Sequence, residues 1–433
     1  MIDKRYPHYK PTGTAWLGDV PSHWNLERLG LHFHERRTKV SDKDYPPLSV
    51  TKNGVVPQLE TAAKTDDGDN RKLVKNGDFV INGRSDRKGS SGLSKLDGSA
   101  SLINIVLQPA ASVFPEFCHY LLRSTAFQEE FYRMGNGLVA DLWSTHFSDM
   151  KNIRLALPPI EEQLDIAAFL ASETTRIDSL VKKKIRFIEL LKEKRKNLIR
   201  IATTKGIDNF EPTKYSGIAQ LGHVPEHWTV TRLGRYAKLL GGFAFSSDDF
   251  QDEGIPVVRM NNLDRGRLNL SYAAHISYSK VVKSAELKVG DLLWGMSGSL
   301  GDTGSLGNFA RVQVDDVPCQ LNQRVGKFIA NEKTLSLDYL TWIIQSTSFY
   351  EQIQVLSTGS AQFNVSSSQV ERCIYCFPPI EEQERIAKYL CNKSFQLDSL
   401  INKIEASIEL LNEHRSALIT AAVTGKIDVR NSK

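Results

Sequence analysis

Loop side chains that combine positive charge with paired donors and acceptors can grip the edges of nucleic-acid bases. Arginine or lysine reaches guanine O6 and N7, and asparagine or glutamine pairs with adenine N6 and N7. In the first half of the chain such residues occur at Lys52-Asn53, at Arg71-Lys72 and in Gly83-Arg84-Ser85-Asp86-Arg87-Lys88-Gly89. The last of these follows a strand-like run, and its glycines permit close backbone approach. In the second half they occur at Arg259-Met260-Asn261-Asn262, at Arg265, and at Gln320-Leu321-Asn322-Gln323-Arg324. The candidate contacts are therefore Lys52, Asn53, Arg71, Lys72, Arg84, Ser85, Arg87 and Lys88, with Arg259, Asn261, Asn262, Arg265, Gln320, Asn322, Gln323 and Arg324. Each of them also reads as a solvated loop charge or a turn amide.

Catalytic constellations are missing. Ser297–Gly304 is glycine-rich but lacks the Gly-Lys-Ser/Thr ending of a phosphate-binding loop. Cys373 and Cys376 form one C-x-x-C without a second ligand pair at zinc spacing, and read as strand thiols. The ten histidines contain no H-E-x-x-H, and no G-x-S-x-G elbow occurs. No segment suggests a site for a methyl donor. The expectation is a chain that holds no metal and no cofactor and catalyses nothing itself.

The 433 residues suggest two to four domains, and 41% hydrophobic residues can fill several cores. A net charge of +5 permits a polyanionic partner without demanding one. The Met1–Pro7 start lacks the apolar core of a signal peptide, no apolar run reaches membrane-spanning length, and the five cysteines are odd in number. These features predict a cytoplasmic protein with reduced thiols and no membrane partner.

The chain repeats itself. Leu17-Gly18-Asp19-Val20-Pro21-Ser22-His23-Trp24 returns as Leu221-Gly222-His223-Val224-Pro225-Glu226-His227-Trp228, an offset of 204. Gly77-Asp78-Phe79 returns as Gly290-Asp291-Leu292. Pro158-Pro159-Ile160-Glu161-Glu162-Gln163 returns without change as Pro378-Pro379-Ile380-Glu381-Glu382-Gln383, an offset of 220. So long a period excludes a solenoid. In each copy a first part diverges and a second part, after Pro-Pro-Ile-Glu-Glu-Gln, stays close. Divergent readers on a kept spacer would produce this pattern, and so would drift in loops.

Pro-Pro-x-Glu-Glu starts a helix: proline tolerates the first turn, and the carboxylates meet the positive end of the helix dipole. Beyond it apolar positions alternate in steps of four and three. One seam runs Ile177, Val181, Lys184, Ile188, Leu191, Arg195, Leu198; the other runs Leu397, Ile401, Ile404, Ile408, Leu411, Arg415, Leu418. This is a coiled-coil period over about three heptads. Arg176–Arg200 holds ten Lys/Arg against three Asp/Glu, whereas Lys393–Arg415 holds three against four. The basic helix can therefore pair with its weakly acidic counterpart or face DNA phosphate. Two such helices in one chain favour an antiparallel pair, and a helix from about Leu170 to Ala202 would span roughly 50 Å.

The L-G-x-V-P-x-H-W segment, the G-D-Φ strand (Φ, apolar) and the P-P-I-E-E-Q helix start, each present twice, resemble the specificity subunits of type I restriction-modification systems over essentially the whole chain. The resemblance implies an α+β fold of two tandem target recognition domains, each followed by a long helix. The helices would pair as an antiparallel coiled coil with pseudo-twofold symmetry. The expected division is residues 1–156 and 207–376 for the recognition domains, and 157–206 and 377–433 for the spacer helices. It also implies a reader of a bipartite, asymmetric double-stranded DNA site. Two methyltransferase subunits carrying S-adenosylmethionine would dock on it, and restriction subunits driven by ATP could join. The competing expectations are a self-sufficient enzyme with a fused reader, and a scaffold whose duplicated domains bind proteins.

Overall fold

The computed structural model describes residues 5–61, 68–137, 143–208, 212–264, 266–301, 304–359 and 362–430. The chain folds into two compact units that do not follow the repeat boundaries. One comprises Met1–Ile185 and Ile404–Lys433; the other is Arg186–Lys403. The two long helices, α4 (Ile160–Lys205) and α8 (Ile380–Val423), therefore each contribute residues to both units.

In the first unit, an antiparallel sheet orders the strands Phe33–Glu35, Asn104–Pro109, Phe79–Asn82 and Ser91–Leu93. A three-stranded sheet combines Lys39–Val40, Arg71–Val74 and Gly98–Ala100. Helices α1 (Pro115–Arg123) and α2 (Thr125–Arg133) cover the larger sheet, and the short α3 (Phe147–Met150) leads to the strand Arg154–Leu157. That strand pairs with Asn25–Arg28 and enters α4 through Pro158-Pro159. The core joins Trp24, Phe33, Phe79, Phe117, Phe127 and Phe131 to Ile166 and Leu170 of α4 and to Ile419, Ala422 and Val423 of α8. Further along α4, Asp178 meets Arg415. Residue numbers rise on one helix as they fall on the other, so in this unit α4 and α8 run antiparallel.

In the second unit, the sheet Ala237–Gly241, Val325–Ala330, Leu292–Gly295, Phe309–Arg311 has the same order and sense. A second sheet sets Ile255–Val258 between Ala274–Ile276 and Gln320–Leu321, the latter pair parallel. Helices α5 (Leu337–Ile343), α6 (Thr347–Leu356) and α7 (Ser367–Arg372) precede the strand Ile374–Phe377 and then α8. Ile199 and Ala202 of α4 share a core with Trp228, Trp294, Tyr339, Ile386 and Leu390. Arg195 faces Asp398 at 3.8 Å, which again makes the helices antiparallel within the unit.

Burial along the helices follows the heptad seam. Ile177, Ile188, Leu191, Ile401 and Ile404 are buried, and Val181, Leu198, Leu397, Ile408, Leu411 and Leu418 are half-buried, while most intervening positions are exposed. One expectation changes in detail. The sequence reads as one amphipathic helix over 114–133 and another over 336–356, and the structure has two in each place. Ser124 and Ser346 break the run because each caps the following helix, accepting from Phe127 N and Phe349 N.

Candidate nucleic-acid interface

The residues that repeat most faithfully are internal fastenings. Glu162 has a buried carboxylate: Tyr6 donates to it at 2.6 Å and Trp24 Nε1 at 3.0 Å, and His23 Nε2 lies 2.7 Å away. Burial, with the Glu162 charge beside it, pushes the Tyr6 hydroxyl well above the usual tyrosine range. Glu382 is held likewise by His227 at 2.9 Å and Trp228 at 3.2 Å. Gln163 accepts from Phe114 N and donates to the Ser112 and Pro158 carbonyls; Gln383 does the same with Ser336 N, Thr334 and Pro378. The H-W and P-P-I-E-E-Q motifs thus lock each helix start to the hairpin and helix that precede it. Asp78 of the Gly-Asp motif accepts two bonds from Arg36 and one from Lys75 N.

The exposed candidate residues lie elsewhere, several of them at one end of each four-stranded sheet. In the first unit a cleft of about 510 Å³ is lined by Arg37, Lys39, Arg84, Ile103, Ser144 and His146. Arg84 is exposed, and its backbone N–H bonds Asn82 Oδ1 at 3.0 Å. Gly83 is required here because a Cβ would stand 2.6 Å from the Thr145 carbonyl oxygen. The close approach read from this glycine-rich loop is therefore to the segment around Thr145. Arg37, Lys39 and His146 were not among the sequence candidates. The run Arg36-Arg37-Thr38-Lys39 was a signal, but the fold turns Arg36 inward to Asp78 and leaves Arg37 74% exposed beside Glu35.

Of the first-unit candidates, Arg71 faces inward, while half-buried Lys72 also lines the cleft. Arg71 is 4% exposed; its guanidinium donates to Ser99 Oγ at 2.8 Å and Ser99 O at 3.1 Å, tying two strands together. Lys72 bridges Glu35 and the Asn104 carbonyl, at 3.0 and 2.8 Å. Lys52 and Asn53 form an exposed hairpin turn, where Arg123 donates to the Lys52 carbonyl. Ser85, Arg87 and Lys88 continue the Arg84 loop; Arg87 lies near Asp86, and Lys88 pairs with Glu129 over the Tyr132 ring.

In the second unit, the equivalent sheet end carries Asn322, Gln323 and Arg324, the last two exposed, on the loop before Val325–Ala330. Asn261 is exposed, whereas Asn262 is buried, accepting from Arg259 N and donating to the Asn269 carbonyl. Gln320 is buried and accepts from Val282 N at 3.0 Å. These two amides, like Arg71, are structural, because a buried amide or cation must bond within the protein. Arg259 is half-buried with its guanidinium 5.5 Å from the Phe250 ring centre. Arg265 lies outside the described residues.

Cys373 and Cys376 are both buried at the strand before α8; burial pushes the Cys373 thiol up to about 12 and that of Cys376 higher still. Among the described residues no group of three or more His, Cys, Asp or Glu is placed to hold a metal, and no helix is long and apolar enough to cross a membrane.

The two units are built on one sheet order, and the motifs they share at Glu162, Gln163, Glu382 and Gln383 are engaged in scaffolding. Residues 225–410 match the family of the type I restriction modification DNA specificity domain. The chain is 26% identical over 284 residues to the type I restriction enzyme MjaVIII specificity subunit of Methanocaldococcus jannaschii, spanning 65% of this chain and 64% of that protein. The MjaX specificity subunit of the same organism is 22% identical over 446 residues, 96% of each chain. In fold, the chain is similar to one solved in work on complex assembly and conformational transition of the type I R-M system. That likeness has a TM-score of 0.73 at 16% identity and covers 93% of this chain and 98% of the other.

Proposed function

We propose that this protein reads a bipartite, asymmetric sequence in double-stranded DNA, one half-site per unit, and recruits the methyltransferase and restriction subunits of a type I complex in the cytoplasm. Catalysis, with S-adenosylmethionine and ATP, would belong to those partners. One observation carries the reading: the same end of the same sheet in each unit presents different base-gripping side chains, Arg84 beside Arg37 and His146 in one, Gln323 and Arg324 in the other. A shared frame with unlike loops suits two unlike half-sites.

Selection from randomised duplexes by the purified chain, alone and with a co-expressed methyltransferase partner, should return a gapped motif with two dissimilar halves. Return of no motif overturns the reading. Binding indifferent to salt would favour a protein scaffold instead, since each phosphate contact lowers log K by about 0.9 per log unit of salt.

A further inference from the structure

The loop Gly241–Phe245 of the second unit leaves the same sheet end as Asn322–Arg324 and holds a large apolar side chain outward. Phe243 is 45% exposed. The loop is pinned to its neighbour. Phe243 N donates to the Leu321 carbonyl at 2.9 Å, Gln323 N donates to the Phe243 carbonyl at 3.0 Å, and Asn322 N donates to the Val258 carbonyl at 3.0 Å. Gly242 makes this contact possible, for a Cβ there would stand 2.1 Å from the Leu321 oxygen. Behind Phe243 the Phe245 ring lies edge-on at 5.0 Å, and Phe245 packs on the buried Ile255, Val257 and Ile276. Phe243 is thus an apolar group fixed on a rigid mount, one backbone hydrogen bond from Gln323, which is next to Arg324 in the chain.

Gln323 and Arg324 are of the types that bond base edges in the major groove, and an apolar group carried beside them meets the same edges. There thymine alone presents an apolar group, its C5-methyl. We infer that Phe243 is a specificity-determining residue, packing on a thymine methyl in the half-site read by the second unit. The inference rests on the DNA-reading function proposed above.

Replacing thymine by uracil removes that methyl alone. The full chain is titrated with its selected duplex and with a series carrying uracil at each thymine in turn. At one position uracil should weaken binding about fourfold, the equivalent of ~0.8 kcal/mol for one buried carbon group. Phe243→Ala should bind thymine and uracil there equally, and Phe243→Leu should keep the preference. Melting curves of both variants should match the unaltered protein, because the side chain lies outside the core. If no gapped motif is selected, the functional reading fails first. If the motif is found but every thymine tolerates uracil, or Phe243→Ala weakens binding while leaving the thymine preference intact, this inference alone is overturned.

Discussion

Arg415 donates to Asp178 at 2.9 Å across 237 residues of sequence. Under the repeat offset Asp178 corresponds to Asp398 and Arg195 to Arg415, and Arg195 and Asp398 face each other in the other unit. Neither aspartate pairs with the arginine of its own helix. Each unit is completed by the helix end of the opposite repeat, so the two repeats are interleaved in the fold.

That interleaving predicts a specific coupling. Both partners are well exposed, so Asp178→Ala or Arg415→Ala should each cost less than about 1 kcal/mol. A double-mutant cycle by chemical denaturation should return a positive coupling for Asp178 with Arg415 and none for Asp178 with Arg195. A coupling within α4 would contradict the pairing.

The two motif glutamates should differ in weight. Glu162 takes the Tyr6 hydroxyl in addition to the His and Trp contacts, while among the described residues the Glu382 carboxylate is met by His227 and Trp228. Each buried donor left without an acceptor costs about 1–3 kcal/mol. Glu162→Ala should therefore lower the unfolding midpoint more than Glu382→Ala. Equal losses would remove the Tyr6 bond from the account.

His119 predicts a pH dependence. Burial, reinforced by the Arg123, Lys95 and Arg415 charges, lowers its pKa to about 4. The unfolded chain then takes up this proton near pH 6.5 while the folded chain resists until about 4. Below its ordinary pKa the unfolded state binds more protons, so stability falls as pH drops through that window and is highest above it. The effect is on the order of 3 kcal/mol. Denaturant titrations at pH 7.5 and 4.5 should show a smaller difference for His119→Gln than for the unaltered protein.

Arg84 and Arg71 should separate reading from folding. Exposed Arg84→Ala should relax one position of one half-site at a cost of about 1–3 kcal/mol and leave the melting temperature unchanged. Arg71→Ala removes the guanidinium bonds to Ser99 and should lower stability instead. A uniform loss across all sequences for Arg84→Ala would make it a phosphate contact.

The heptad seams were legible because a helix buries whatever recurs at its own period, and burial at Ile177, Ile188, Leu191, Ile401 and Ile404 follows the pattern. The break at Ser124 was not, since an N-cap serine looks like any other helix residue until its neighbours are placed. The candidate contacts were the least legible. Asparagine, glutamine and arginine have the same chemistry whether the partner is a base or a carbonyl, and Asn262, Gln320 and Arg71 found theirs inside.

By itself the sequence determined the duplication, the two helix starts and the period of their seams, because these depend on residue type and spacing along one chain. Tertiary structure alone decided that each helix end completes the opposite repeat's core, that the repeated Glu162 and Glu382 hold histidine and tryptophan, and that Arg37, His146 and Phe243 stand outward while Arg71 does not. Those outcomes depend on which groups, hundreds of residues apart, exclude water from one another, and local pattern carries no record of that.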